Sequence, residues 1–133
     1  MAFPSNANNL VAGDTNGLQD IFVHQLPCGL DTDCDGIPDT QDNCIYVPNG
    51  PLAPDAGGHS QWDTNGDGFG NVCDADLNND RLVTVTDYAI LRSRLNTTNA
   101  DADLNGDGQV TATDAQILRG LLNKAPGPSG LVP

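Results

Sequence analysis

Apolar and polar positions alternate differently in three stretches of the chain. In residues 1–27 the apolar runs are short, Leu10-Val11-Ala12 and Ile21-Phe22-Val23, and Asn16-Gly17 between them is a strong turn signal. That pattern predicts a short β-hairpin joining 10–12 to 21–23. Asp14, Asn16 and Asp20 could chelate an ion instead, although their spacing is incomplete. In residues 28–74 the apolar positions (Ile37, Ile45, Tyr46, Val47, Leu52, Trp62, Phe69 and Val72) follow neither a helical nor a strand period. A segment of that kind stays disordered unless something other than a hydrophobic core holds it. Residues 75–124 recover a helical period: Ile90, Leu91 and Leu95 share one face behind a Thr86 N-cap, and Ile117, Leu118, Leu121 and Leu122 share another behind Thr113. Ala75 to Asn96 aligns without gaps on Ala102 to Asn123, an offset of 27 residues, so this stretch is an internal duplication. Each half leaves an apolar stripe for the other to cover, and Val83 and Val110 are expected to pair as a two-residue sheet. Residues 125–133 form a Pro/Gly tail.

Composition says what holds the middle stretch. The chain has 133 residues, 18 acids against 5 bases and a formal charge of -13, and every acid is Asp. Exposed helices ordinarily take Glu, the better helix former, so this acidity is not a generic solvated surface. Asp is short and suits tight loops that aim oxygens inward. Aromatic residues make up only 5%, too little bulk for a large core, and small domains without one need metals or disulfides. So acidic a chain repels phosphate, which excludes nucleic-acid binding as its main role. No apolar run approaches the ~18 residues of a membrane span. The start, Met1 to Ser5, lacks a basic region and an apolar core, and reads as the beginning of a mature segment rather than a signal peptide.

A calcium loop places side-chain oxygens at positions 1, 3, 5, 9 and 12, a backbone carbonyl at 7 and Gly at 6, because a chain winding round an ion turns every second side chain inward. Four windows fit. The first is Asp31, Asp33, Asp35, Gly36, the Ile37 carbonyl, Asp39 and Asp42. The second is Asp63, Asn65, Asp67, Gly68, the Phe69 carbonyl, Asn71 and Asp74. Asp76, Asn78, Asp80, the Leu82 carbonyl, Thr84 and Asp87 make the third, with Arg81 in place of Gly. The fourth is Asp103, Asn105, Asp107, Gly108, the Gln109 carbonyl, Thr111 and Asp114. Fourteen of the 18 Asp fall on ligand positions, whereas solvated acidic loops would scatter Asp over odd and even positions alike. The expected cofactor is Ca²⁺, four ions or more. Position 12 is Asp throughout, where sensor loops carry a bidentate Glu; the shorter arm argues for a structural ion rather than a switch. Mg²⁺ is disfavoured because it keeps its water.

At these residues the chain resembles two known families. Residues 76–122 resemble a type I dockerin, two repeats of calcium loop plus helix. Residues 31–74 resemble a thrombospondin type 3 repeat, through Asp31-Thr-Asp-Cys-Asp-Gly-Ile-Pro-Asp-Thr-Gln-Asp-Asn-Cys44 and Asp63-Thr-Asn-Gly-Asp-Gly-Phe-Gly-Asn-Val-Cys-Asp74. Asn9-Leu-Val-Ala-Gly-Asp-Thr-Asn-Gly-Leu-Gln-Asp-Ile-Phe-Val23 also looks like one blade segment of a TolB-like propeller. The expected fold is therefore a set of small calcium- and disulfide-stabilised domains. An N-terminal hairpin segment (1–27) precedes an irregular, loop-rich thrombospondin-like segment (28–74), an all-α dockerin-like pair (75–124) and the tail (125–133). The resemblance implies an extracellular, non-catalytic calcium-binding module. Dockerins bind cohesins through loop positions 10, 11, 17 and 18; by position these are Val85, Thr86, Arg92 and Ser93, and Ala112, Thr113, Arg119 and Gly120. The linker from Thr97 to Ala102 is shorter than in cellulosomal dockerins, and the contact pairs carry fewer hydroxyls.

Four cysteines in an acidic, loop-rich segment suggest disulfides and an oxidising compartment. Zinc is the rival, but the spacing contains no C-x₂-C pair. Of the three pairings, Cys28–Cys34 with Cys44–Cys73 is favoured, the second as the thrombospondin resemblance implies. His24 and His59 read as surface or packing residues, and Trp62 as a ring packed over the second window. Asn96-Thr97-Thr98 has the form of a glycosylation sequon. No nucleophile stands beside a base, and the carboxylate clusters are cages rather than a pair facing a cleft, so no enzyme is expected. The partner is a cohesin-like protein or, alternatively, identical subunits of an extracellular, calcium-stiffened filament in which a neighbour holds the tail. The setting is extracellular or cell-surface, in a secreted bacterial protein.

Overall fold

The computed structural model describes the backbone of residues 2–5 and 20–23 and the whole of 28–132. Strand β1 (Ala2–Ser5) pairs antiparallel with β2 (Asp20–Val23), Phe3 opposite Phe22. The expected partner of 21–23, residues 10–12, lies outside the described residues, as does most of the blade-like stretch, so the tight hairpin about Asn16-Gly17 is not shown.

Two helices dominate the rest: α1 (Val85–Ser93) and α2 (Ala112–Leu121). Each begins one turn earlier in register than expected. Thr84 and Thr111 are the N-caps, not Thr86 and Thr113: each Thr hydroxyl accepts from the N–H two residues on, and Asp87 or Asp114 returns a bond to the cap backbone. The reciprocal Thr-x-x-Asp arrangement satisfies two amides that a helix start otherwise leaves open. The helices end near Asn96 (φ 61) and Asn123 (φ 63), a left-handed conformation that Asn tolerates better than most residues.

Those two asparagines redirect the chain across the duplication. The Asn96 amide donates to the Val110 carbonyl, and the Val110 amide to the Thr97 carbonyl. Twenty-seven residues away, Asn123 donates to Val83 and Val83 to Lys124. Val83 and Val110 therefore do not pair with each other as expected; each loop bonds to the exit of the other repeat's helix, an approximate two-fold exchange. The core follows the same symmetry, with Ala75 and Ala102, Val83 and Val110, and Leu91 and Leu118 fully buried, backed by Leu104 and Ala115. In 28–74 the only buried hydrophobic residues are Cys44 and Cys73, so that segment does lack an apolar core of its own.

The segment is held by cross-links and polar contacts instead. Cys28 is bonded to Cys34, and Cys44 to Cys73. Asn43, Asn49 and Gln61 interlock: the Asn49 side-chain amide donates to Asn43, and Gln61 Nε2 to Asn49 and to Asp42. The C-terminal tail, expected to need a neighbour, lies along its own chain. Gly127 donates to the Cys73 carbonyl, Gly130 to that of Asp42, and the Ser129 hydroxyl to that of Gly68, while Pro128 accepts from Ile45.

Candidate metal centres

The four windows share an internal scaffold. The position-3 side chain accepts the amide of position 5 in every case: Asp33 from Asp35, Asn65 from Asp67, Asn78 from Asp80 and Asn105 from Asp107. The position-5 carboxylate likewise accepts the amide of position 7, on Ile37, Phe69, Leu82 and Gln109. The position-1 carboxylate gathers the amide of position 6 each time, from Gly36 to Asp31, Gly68 to Asp63, Arg81 to Asp76 and Gly108 to Asp103. These bonds curl each loop about its acidic residues. They also require a left-handed residue at position 6, and the four φ values are 99, 94, 73 and 92 for Gly36, Gly68, Arg81 and Gly108. Arg81 alone meets this requirement with a side chain attached.

Position 12 divides the windows into two kinds. Asp87 and Asp114 are the third residues of α1 and α2; each spreads one oxygen to its cap residue and the other back to the start of its loop, to Asn78 and to Asn105. Asp42 and Asp74 have no helix behind them, and each accepts from the amide two residues on, Cys44 or Asp76. Position 9 is engaged elsewhere in all four: Asp39 with Thr32, Asn71 with Thr64, and Thr84 and Thr111 as helix caps. The geometry sets those four side chains one shell out from the loop interior.

Burial makes the electrostatics severe. Asp35, Asp42, Asp74, Asp76, Asp87, Asp103 and Asp114 are all buried. Among the described residues the only ion pairs are His59–Asp55 and Arg94–Asp101, so no basic side chain offsets any of the seven. Burial, with Asp35 and Asp42 close by, pushes the Asp33 carboxyl up to about 6. Burial pushes Asp74 up to about 7, with Asp67 and Asp76 adding to the effect. Asp103 is raised for the same reason, reinforced by Asp114 and Asp107. One oxygen each of Asp31, Asp33 and Asp35 come within 4.8 Å of one another. Asp33 Oδ2 and Asp42 Oδ2 are buried without any hydrogen-bond donor. Converging, unpartnered carboxylate oxygens are what a hard cation takes as ligands, so the donor set fits Ca²⁺.

Several residues with no sequence signal support this set. Asn49 donates its amide to Asp35 Oδ2 and Gln61 its side chain to Asp42 Oδ1, so two carboxylates of the first window are aimed from outside it. His59 lies 2.9 Å from Asp55 and stacks on Trp62, which therefore packs on a histidine rather than over the second window. Ala56 beside them donates to the Asn105 carbonyl of the fourth window. The residues expected to meet a partner, Val85, Thr86, Arg92, Ser93, Ala112, Thr113, Arg119 and Gly120, are all exposed.

Cross-linked acidic loops without a core, joined to a duplicated loop–helix pair, define a class of small, cation-dependent binding and scaffold modules. The comparisons name two families within it. Residues 74–123 match the dockerin type I domain, and residues 27–51 match the thrombospondin type 3 repeat. Both are calcium-binding families of structural and binding modules. Curated relatives include thrombospondin-3a of Danio rerio, 38% identical over 72 residues, 45% of this chain and 6% of the relative. Thrombospondin-4 of Xenopus laevis is 38% identical over 66 residues, 42% of this chain and 6% of the relative. Cartilage oligomeric matrix protein of Mus musculus is 36% identical over 72 residues, 47% and 8%. The chain thus spans less than a tenth of the length of these relatives. No solved structure matches it significantly. The families and the two disulfides together indicate an extracellular setting.

Proposed function

We propose that the chain is a non-catalytic, extracellular module that binds four Ca²⁺ ions and attaches to a cohesin-like protein through its duplicated half. The carrying observation is the set of seven buried Asp side chains with no basic partner among the described residues. In this reading Asp31, Asp33, Asp35, Asp42 and the Ile37 carbonyl hold the first ion, and Asp63, Asn65, Asp67, Asp74 and the Phe69 carbonyl the second. Asp76, Asn78, Asp80, Asp87 and the Leu82 carbonyl hold the third; Asp103, Asn105, Asp107, Asp114 and the Gln109 carbonyl hold the fourth. Asp39, Asn71, Thr84 and Thr111 act through water or by fixing the loop. Four ions would bring the formal charge from -13 to -5, adding eight. The division into the four segments of 1–27, 28–74, 75–124 and 125–133 belongs to the same reading.

The partner half of the proposal rests on the dockerin type I match over 74–123 and on the exposure of the helix positions that correspond to the contact residues of that family. Among the described residues no helix is long and apolar enough to cross a membrane, so attachment by protein contact is the simpler route. Calcium titration by calorimetry, followed by capture on a panel of purified cohesins with and without chelator, tests both halves. Binding stoichiometry well below four refutes the ion assignment, and absence of calcium-dependent capture refutes the docking role. The alternative, a filament subunit, lost its main motive when the tail was found bonded within its own chain.

A further inference from the structure

The duplication presents two equivalent outward helix faces, and their chemistry is unequal. On α1 the exposed stripe is Val85, Thr86, Ala89, Arg92 and Ser93; 27 residues on, α2 offers Ala112, Thr113, Gln116, Arg119 and Gly120. Val85 is 77% exposed, and Leu82 beside it 45%; their counterparts are Ala112 and Gln109, so only α1 displays an apolar patch. The arginines differ as well. Arg119 donates to the Tyr88 hydroxyl and sits 5.1 Å from the centre of that ring. Position 115, the counterpart of Tyr88, is Ala, and Arg92 has no ion pair among the described residues. All five basic residues of the chain lie in 75–124 and none in 28–74.

We propose that the partner docks on the α1 face in a single orientation. The occupant is a protein surface with a shallow apolar seat for Val85 and a carboxylate for Arg92, roughly 10 Å apart along the helix, seven residues at 1.5 Å each. Ala89 between them is small enough to let the partner approach the helix closely. The α2 face offers no such anchor, its centre is the polar Gln116, and recruiting Arg119 means breaking its contact with Tyr88. An exposed apolar side chain beside an uncommitted arginine is the pairing that concentrates binding energy at interfaces, and the arginine sets the complementary charge.

This inference rests on the docking role proposed above, and the experiment separates the two. The calcium-loaded full chain and four variants, V85D, R92D, A112D and R119D, are titrated into whichever purified cohesin binds the unaltered chain, with helix content recorded for each. The expected result is at least a tenfold loss of affinity for V85D and R92D, less than a twofold change for A112D and R119D, and a shallower salt dependence for R92Q. Equal losses on both faces, or larger losses on α2, overturn the single-face assignment while leaving docking intact. If no cohesin binds the unaltered chain, the docking role itself falls and this assignment with it. Sedimentation of the chain alone supplies a further arm: self-association abolished by R92D would make the occupant a second copy and overturn the heterologous partner.

Discussion

Removing calcium should reverse the sign of this protein's pH dependence. Asp74 is buried, and its carboxyl is pushed from an ordinary value of 3.8 to about 7 by that burial and by Asp67 and Asp76. An acid with a raised folded pKa keeps its proton in the folded state over a range where the unfolded chain has lost it. Between pH 3.8 and about 7 the calcium-free fold therefore loses stability as pH rises, and above that range the full penalty is in place. At 1.36 kcal/mol per pH unit the gap amounts to about 4 kcal/mol from Asp74 alone, a large share of the ~5–15 kcal/mol a domain possesses. Asp33, raised to about 6, and Asp103 act in the same direction. A bound cation favours the ionised carboxylates, drops their folded pKa below the unfolded value and makes stability fall as pH falls. Thermal unfolding followed by circular dichroism, on metal-free protein and in millimolar calcium, reads both slopes between pH 4.5 and 8. The metal-free midpoint should drop by roughly 10 °C over that span, and the calcium-loaded midpoint should rise. Asp74→Asn should flatten the metal-free curve. A metal-free midpoint that climbs with pH, or stays level, refutes the electrostatic account.

Three further outcomes follow from the geometry. Arg81 occupies the left-handed position that Gly fills in the other windows, a strain of about 1 kcal/mol; Arg81→Gly should tighten the third site about fivefold by calorimetry, and Asp103→Ala should cost more helix than Asp76→Ala, with equal losses counting against the argument. Thr84→Ala and Thr111→Ala should each lower stability by about 0.5–2 kcal/mol in denaturant titrations, whereas Thr86→Ala and Thr113→Ala should stay within about 0.5 kcal/mol; the reverse ranking would restore the later helix starts. A Cβ on Gly130 would run into the Asp39 carbonyl, so Gly130→Val should free residues 125–132 to protease and weaken calcium binding in the first two windows; large assemblies lost on deleting 125–133 would instead revive the head-to-tail filament.

The acidic windows were legible because a chain that wraps an ion writes its ligands at alternate positions, a local rule that needs no tertiary information. The duplicated core was legible for a similar reason, since a gapless 27-residue offset forces Leu91 and Leu118 into equivalent places. The helix starts were misread although the signal was present. Thr84 is followed three residues later by Asp87, which completes a capping box, and Thr86 is followed by Ala89, which cannot. The partner of Val83 was not legible: hydrophobic pattern marks a residue as buried but does not say which extended segment runs past it. The paired Asn96 and Asn123 were the only hint that each helix ends in a turn toward the other repeat. Asn49, Gln61, His59 and the tail escaped because their roles depend on contacts across 12 to 87 residues of chain with no periodic trace.

The junction between the two kinds of window explains why they act as one body. Asp74 closes the second window and Asp76 opens the third, with only Ala75 between them, and Ala75 is fully buried in the core of the duplicated half. The Asp76 amide donates to Asp74 Oδ1, and Asn65 of the second window reaches Asn79 of the third. There is no linker to absorb a change in either loop. Beyond α2 the chain pairs with Val83 in the third window and then runs over Cys73, Gly68 and Asp42, touching the second and first windows in turn. A segment without an apolar core is thus clamped from both ends to the one part of the molecule that has one. Disturbing the second window must strain Ala75 in that core, so loss of its ion should propagate into α1 rather than stop at the loop.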